Sequence, residues 1–338
     1  MLEEAIPLKD AAHQFAIKPD RLRRAAWDGR LQARREGPQW MVRPSEVERF
    51  MRENGRAPHV EPAPLRNDVA EARIIAVAVP KGGTGKTTTS LNLGAALHEA
   101  GQRVLLVDFD PQGSLTLATL GRQSTKLEYT VQDAIKAFTT TYEPELARAI
   151  VPTPMGIDLV PATARLNLSN SELINAAQPR LVLRALLEPL RSRYDFILID
   201  TLPYLGILVE NALVAADEVL VPVPAEFLDS ESAALMVEHV RYMRKSGLNP
   251  DLKICGFLLT KIRQSRAIQR QYVVYARRKF GTEARVFATI IDEGADVPES
   301  LAMSQTLFQY KPMGPAATAY RALAQEVLDG AFQEELRS

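Results

Sequence analysis

Between an unbroken apolar run, Ile74–Val79, and an amphipathic stretch, Leu91–Ala100, the chain reads Lys81-Gly82-Gly83-Thr84-Gly85-Lys86-Thr87-Thr88. A glycine-rich loop that follows a strand and opens a helix constrains the fold strongly, because that context makes a phosphate loop credible. The glycines let the backbone wrap tightly, so consecutive N–H groups can point inward. The helix that begins near Thr87 adds the positive end of its dipole. This combination suits a phosphate chain, with Gly82, Gly83, Thr84, Gly85, Lys86, Thr87 and Thr88 as the cradle. Lys86 is expected on the β- and γ-phosphates, and the Thr87 hydroxyl on Mg²⁺.

Five further apolar runs follow or lie beyond this loop: Val104–Val107, Ile157–Val160, Phe196–Ile199, Val219–Val223 and Ile254–Leu259. Each is short, rich in Val, Ile and Leu, and nearly free of polar residues, which suits strands buried on both faces of a parallel sheet. Helical stretches such as Leu181–Arg193 and Ser232–Arg244 alternate with them. The expected fold class is α/β, a mostly parallel sheet sandwiched by helices. At 338 residues the chain exceeds one compact domain. A segment holding Pro58, Pro62 and Pro64 reads as a semi-extended linker. The expected division is therefore a small domain over 1–54, a linker over 55–72 and a large domain over 73–338.

Two acidic segments end such strands: Asp108-Phe109-Asp110-Pro111-Gln112-Gly113, and Asp200 after Phe196-Ile197-Leu198-Ile199. Carboxylates at strand C-termini face the ligand crevice of an open parallel sheet, although a lone one is often only a cap. A second lysine at the front of the loop, Lys81, is not needed to cradle phosphate within one subunit. With that lysine, the loop resembles the KGGxGKT loop of the ParA/MinD family of deviant Walker A ATPases. The resemblance implies that Lys81 reaches across a homodimer interface to the partner's nucleotide, so that two ATP molecules are sandwiched. It implies that Asp110 orients the attacking water, that Asp108 supports the metal region, and that Asp200 is the Walker B aspartate near Mg²⁺. Thr87, Asp108 and Asp200 form the expected metal set; Lys81, Lys86 and Asp110 form the expected catalytic set.

The likeness continues through Pro161-Ala162-Thr163, Gly256-Phe257-Leu258-Leu259-Thr260-Lys261 and Tyr320–Val327. The chain departs from the family at Asp200-Thr201-Leu202-Pro203, where DTPP is usual, and at Ile290-Ile291-Asp292-Glu293, where Ile-Pro is usual. The second departure leaves ATP inferred from the resemblance, not from the base end of the pocket. Catalysis is expected to rest on positioning and charge neutralisation. The four histidines are scattered and make no nucleophile constellation. Hydrolysis that is slow until partner protein and DNA raise it is what the resemblance implies.

Ahead of the linker, Pro7–Ala12 begins a short helix, and Pro19 can start another, since a first-turn residue has no N–H to lose. Leu22, Ala25 and Ala26 read as its inward face. An apparent hairpin through Arg34–Trp40 and a helix through Val47 and Phe50 follow, with Trp40 read as packing the wing. The order resembles the small winged helix-turn-helix of MerR and excisionase proteins. Residues 1 to 58 carry twelve Lys and Arg against nine Asp and Glu, a net charge of +3, concentrated in Arg21–Arg24 and Arg30–Arg35. Arg21, Arg23, Arg24, Arg34 and Arg35 are the candidate contacts to specific DNA; a protein-interaction module with solvated arginines is the alternative. In the large domain Arg266, Arg270, Arg277, Arg278 and Lys279 are candidates for DNA binding without sequence preference, as in ParA relatives, against the plain reading of a solvated face.

Whole-chain charge is balanced, with 41 basic and 41 acidic residues, so only local charge can speak for nucleic acid. The lone Cys255 sits in an apolar run and reads as a buried hydrophobe. One cysteine also argues against an iron–sulfur relative. No stretch approaches the roughly 20 apolar residues of a membrane span. The terminal residues lack both a signal peptide's order and a basic amphipathic anchor. The leading expectation is a cytoplasmic, nucleoid-associated partition ATPase that acts with a ParB-like centromere-binding protein on plasmid or chromosome. The alternatives are a nucleotide-tuned transcriptional regulator and ParA-like positioning of a non-DNA cargo.

Overall fold

The computed structural model describes residues 5–15, 19–27, 30–36, 39–53, 71–224, 229–263 and 265–335. The chain divides into two compact units, Met1–Glu61 and Pro62–Ser338. The expected linker over 55–72 lies outside the described residues except for 71 and 72.

The smaller unit runs β1 (Ile6–Pro7), α1 (Leu8–Gln14), α2 (Pro19–Trp27), β2 (Ala33–Glu36), β3 (Gln39–Val42) and α3 (Pro44–Glu53). Pro19 opens α2 with its ring where no backbone donor is needed. Leu22, Ala25 and Ala26 recur at helical spacing, and all three are buried with Leu8, Phe15, Leu31, Val42, Val47 and Phe50 in one small core. β2 and β3 form an antiparallel hairpin, and β1 adds to the other edge of β3. Trp40 packs half-buried against the core. Residues 16–18, between α1 and α2, lie outside the described residues.

The larger unit begins β4 (Arg73–Val77), α4 (Lys86–Glu99), β5 (Val104–Phe109), α5 (Ser114–Leu120), α6 (Val131–Thr141), β6 (Val151–Pro152) and β7 (Asp158–Val160). It continues α7 (Ser169–Ile174), α8 (Val182–Leu187), β8 (Phe196–Thr201), α9 (Ile207–Ala215), β9 (Glu218–Pro224), α10 (Asp229–Lys245) and β10 (Lys253–Ile262). Last come α11 (Ala267–Phe280), β11 (Val286–Asp292), α12 (Asp296–Ala302), α13 (Leu307–Tyr310) and α14 (Pro315–Glu335). The strands make an eight-stranded sheet in the order β11-β10-β9-β4-β8-β5-β7-β6. Every pairing is parallel except that of the short edge strand β6 with β7.

Alternate strand residues feed opposite layers, as the two-residue strand period requires. Ile74 and Ala76 join one core with helices α8, α9 and α10, whereas Ile75 and Val77 join the other with α4 and α14. Burial on both faces explains the near-absence of polar residues from these runs. Two helix expectations are corrected. Leu91–Ala100 was expected to be amphipathic, yet α4 is buried on all sides from Thr89 to Leu97 because it lies between the sheet and α14. The stretch Leu181–Arg193 yields only α8 and then a tight 3-10 turn, Glu188–Leu190, where Pro189 cannot continue the α-helical hydrogen bonds.

Parallel register brings the strand ends together. Val77 pairs with Asp200, and Asp200 pairs with Asp108, so the exits of β4, β8 and β5 lie side by side. That edge of the sheet is where an open α/β fold places its ligand.

Candidate nucleotide-binding site

Beyond β4 the backbone turns through Gly83 at φ +74° and Gly85 at φ +94°. An added Cβ at either would meet nothing within 4 Å, so glycine is required there by conformation, not by space. Gly85 is also the N-terminal cap residue of α4, and no side chain caps the helix. Its first N–H groups are therefore left for an anionic ligand. The loop is tied to the far side of the sheet by Thr260 at the end of β10, whose hydroxyl donates to the Thr84 carbonyl at 2.9 Å.

The Lys86 side chain is only 7% exposed. Its Nζ donates to the carbonyls of Lys81 at 2.7 Å and Val79 at 3.4 Å. Burial lowers its pKa, against the pull of the Asp200 and Asp110 carboxylates. Lys81 itself is half-buried, and it is not among the residues lining the cavity described below.

The three acids occupy different environments. Asp200 is fully buried. Its Oδ1 accepts from Ser90 Oγ at 3.2 Å, and its Oδ2 has no hydrogen-bond partner among the described residues. Burial, then the neighbouring Asp108 charge, push its pKa up to about 8, opposed by the Thr87 and Ser90 hydroxyls and the Lys86 ammonium. Asp108 is equally buried, but both its oxygens are engaged. Oδ2 accepts from Thr116 N at 2.8 Å and Thr116 Oγ1 at 2.7 Å, and Oδ1 accepts from Asp110 N at 3.2 Å. Asp110 is 8% exposed, lines the cavity, and accepts from Gln112 N at 2.9 Å.

A cavity of about 630 Å³, large enough for a nucleotide-sized ligand, is lined by Lys86 and Asp110, with Asp108 and Asp200 buried behind its wall. Its lining includes the glycine loop from Gly82 to Thr88 and Asp110, together with Leu117, Ile291, Val297 and Leu301, and Lys261 and Asp292. The apolar side chains among them suit a planar base. Ile291 and Asp292 come from β11, a strand the sequence reading did not find. Ser90, Thr116 and Thr260 were also missed, since an isolated hydroxyl has no periodicity to betray it.

Whether these residues fit Mg²⁺ is answered by the orphaned Asp200 Oδ2. A buried carboxylate oxygen without a donor is costly, and a cation removes that cost. The Thr87 hydroxyl stands at the start of α4 on the cavity wall. Thr87 and Asp200 therefore fit the group. Asp108 braces the start of α5 and the Asp110 backbone instead of offering a free oxygen.

The basic candidates are spread over both units. Arg23 and Arg24 are exposed on α2, and Arg35 is exposed opposite Trp40. Arg34 is exposed and pairs with Glu36 at 2.7 Å. The Arg21 side chain lies outside the described residues. Helix α11 buries Tyr272, Ala276 and Phe280. Arg266, at its N-terminal cap, and Arg270, Arg277 and Arg278 along it are exposed. Lys279 is half-buried, reaching Ser230 Oγ at 3.4 Å and lying over the Tyr275 ring.

The profile of the AAA domain family matches residues 72–254, more than half of the chain. Sporulation initiation inhibitor protein Soj of Bacillus subtilis is 36% identical over 75% of this chain and 98% of its own length. Chromosome partitioning protein ParA of Myxococcus xanthus is 35% identical over 76% of this chain and 88% of its own. A crystal structure of cobyrinic acid a,c-diamide synthase from Mycobacterium smegmatis, with bound ADP and magnesium, superposes with a TM-score of 0.65 at 33% identity, covering 76% of this chain and 94% of that one. With its glycine loop, central strand order and paired strand-end aspartates, the chain belongs to the ParA/Soj family of P-loop ATPases.

Proposed function

We propose that the chain is a ParA-type partition ATPase that uses ATP and Mg²⁺. The observation that carries this reading is the convergence of Lys86, Asp110 and the glycine loop on one cavity, in a chain whose relatives are named for chromosome partitioning. Mg²⁺ bound with ATP supplies neutralisation of phosphate charge. The loop N–H groups from Gly82 to Thr88 and the Lys86 ammonium hold and orient the phosphates. Thr87 and Asp200 hold the metal, and Asp108 supports them by fixing the Asp110 loop. Asp110, at the cavity wall, orients the attacking water. Lys81 lies outside its own chain's cavity lining, which is compatible with a role toward a partner's nucleotide in an ATP-bound homodimer.

In this reading the ATP dimer binds DNA without sequence preference through the exposed arginines of α11. A ParB-like centromere-binding protein raises hydrolysis and releases it, and the protein is cytoplasmic and nucleoid-associated. The 1–54 module, joined through the 55–72 linker to the 73–338 ATPase domain, is a winged helix-turn-helix that binds specific DNA, using Arg21, Arg23, Arg24, Arg34 and Arg35. Among the described residues no helix is long and apolar enough to cross a membrane.

The test is binding of the full chain to random-sequence duplex DNA at fixed salt with Mg²⁺ and ATP, ADP or no nucleotide. Binding with ATP alone, lost in Lys81→Ala, supports the partition reading. Binding indifferent to nucleotide makes the nucleotide-tuned regulator the better description. ATP-gated dimers that ignore DNA point to positioning of a non-DNA cargo.

A further inference from the structure

Thr116 joins two loops that the sequence keeps far apart. It is 2% exposed, in the first turn of α5. Gly113, at the N-terminal cap of that helix, has no side chain to cap it, and the vacant role is filled by Asp108, five residues before it. The Thr116 N–H and hydroxyl both donate to Asp108 Oδ2, at 2.8 Å and 2.7 Å. The same hydroxyl oxygen accepts from the Ala162 N–H at 2.9 Å, at the exit of β7. A hydroxyl has one proton and two lone pairs, so it can do both at once. The Asp110 backbone hangs from the other oxygen of Asp108 at 3.2 Å.

A second, independent contact lies beside it. Gly113 has φ +62°, and a Cβ there would stand 3.0 Å from the Ala162 carbonyl oxygen. The β5 and β7 exits therefore approach backbone to backbone, and the Thr116 hydroxyl is the polar pin between them. The β7 exit is held in turn by α6, whose first N–H, at Val131, donates to the Pro161 carbonyl at 3.0 Å.

We propose that Thr116 is a positioning residue for hydrolysis: its hydroxyl, by clamping Asp108 to the β7 exit, sets where the Asp110 carboxylate stands in the cavity. This inference rests on the reading of Asp110 as the water-orienting group. Thr116 touches no ligand itself. Removing the hydroxyl frees Asp108 to shift, leaves the buried Ala162 N–H without its acceptor, and lets the Asp110 loop move relative to the phosphate cradle. The cradle and Lys86 belong to the β4 exit and should not notice.

The experiment compares Thr116→Val, which keeps the shape, and Thr116→Ser, which keeps the hydroxyl, in the full chain with Mg²⁺ and ATP. The Val variant is expected to lose about 10- to 100-fold in kcat, the scale set by a misplacement of order 1 Å. Its KM and its affinity for a fluorescent ATP analogue should stay within about threefold, and the Ser variant should recover most of the rate. Gly113→Ala, which wedges the exits apart without touching the hydroxyl, should show the same split if the Val variant fails to fold. A Val variant with undiminished kcat, or one in which kcat and nucleotide affinity fall together, overturns the proposal. If Asp110→Ala hydrolyses ATP as fast as the native chain, it is instead the assignment of Asp110 that fails, whatever Thr116 does.

Discussion

Asp108 and Asp200 are register partners on the adjacent parallel strands β5 and β8, and both are fully buried. Burial disfavours the ionisation of both, and at Asp200 the neighbouring Asp108 charge adds to the effect. Their hydrogen bonds break the symmetry. Asp108 accepts three hydrogen bonds, while Asp200 accepts one, from Ser90, and has an oxygen without a partner among the described residues, with the Thr87 hydroxyl and Lys86 ammonium nearby. Asp200 accordingly carries the larger upward shift, to about 8, and Asp108 rises to about 6.

That asymmetry predicts a pH dependence of stability. Asp200 binds its proton more tightly folded, near pH 8, than unfolded, near 3.8. Between those values the folded state holds more protons, so stability without nucleotide falls as pH rises through that window. Asp200→Asn removes the buried charge and should flatten the profile. At pH 8 the variant should be more stable than the native chain by roughly 1–3 kcal/mol, and it should lose the stabilisation given by Mg²⁺ and ATP. Thermal melts at pH 5, 6, 7 and 8 decide the matter. An Asn variant that melts lower at pH 8 in the absence of nucleotide removes this account.

The two loop lysines should separate binding from assembly. Lys86→Ala deletes a buried ammonium aimed at the phosphate cradle, so titration calorimetry should show ATP affinity down by about 10- to 100-fold, the worth of one or two charge-assisted hydrogen bonds. Lys81→Ala leaves the cavity lining intact. Its ATP affinity should stay near native while the ATP-dependent dimer disappears in light scattering. Equal losses of affinity in both variants would place Lys81 in its own chain's site.

What could be read in advance followed periodicity and backbone chemistry. The six apolar runs all became strands because burial on both faces leaves an uninterrupted hydrophobic signature. Gly83 and Gly85 were legible because left-handed backbone has few other hosts. β11 was not. It is a sheet edge whose residues vary from exposed to buried, so Val286–Asp292 lacks that signature although it contributes Ile291 and Asp292 to the cavity lining. Strand order was also hidden, since long-range pairing leaves no local mark. The third loss was the polar support. Nothing in the sequence distinguishes Thr116 from Thr119 three residues on, although one clamps Asp108 and the other only returns hydrogen bonds to its own helix.

At the opposite end of the sheet, the buried Tyr194 hydroxyl donates to Asp158 Oδ2 at 2.7 Å, at the start of β7. Burial raises the Asp158 pKa, and this hydrogen bond holds it down. The bond favours the ionised carboxylate, so its contribution is present above the Asp158 pKa and fades as pH falls through it. Tyr194→Phe should therefore destabilise the protein by about 1.5–3 kcal/mol at pH 8, and by less at pH 4. ATP affinity should be unchanged, because the phosphate cradle lies at the other strand ends. Denaturant titrations at the two pH values test the sign: a loss that grows on acidification contradicts the ionised pairing.

The exposed arginines of α11 make a claim that salt can examine. Arg266 and Arg270 lie one turn apart, and Arg277 follows on the same side, about a quarter-turn round the helix from the buried Tyr272, Ala276 and Phe280, where it also donates to the Ala288 carbonyl. If this face meets the DNA backbone, each lost arginine releases about one fewer counterion, and the slope of log affinity against log salt shrinks by roughly 0.9 per phosphate contact. Arg270→Ala combined with Arg278→Ala, neither of which lines the cavity, should lower ATP-dependent affinity for random duplex DNA and flatten that slope by roughly 1–2. ATP-dependent dimerisation should be untouched, which separates loss of contact from loss of the dimer. A slope equal to the native one at weakened affinity would mean that α11 supports the DNA-binding face without touching phosphate, and the smaller unit's arginines on α2 would then be the next place to look.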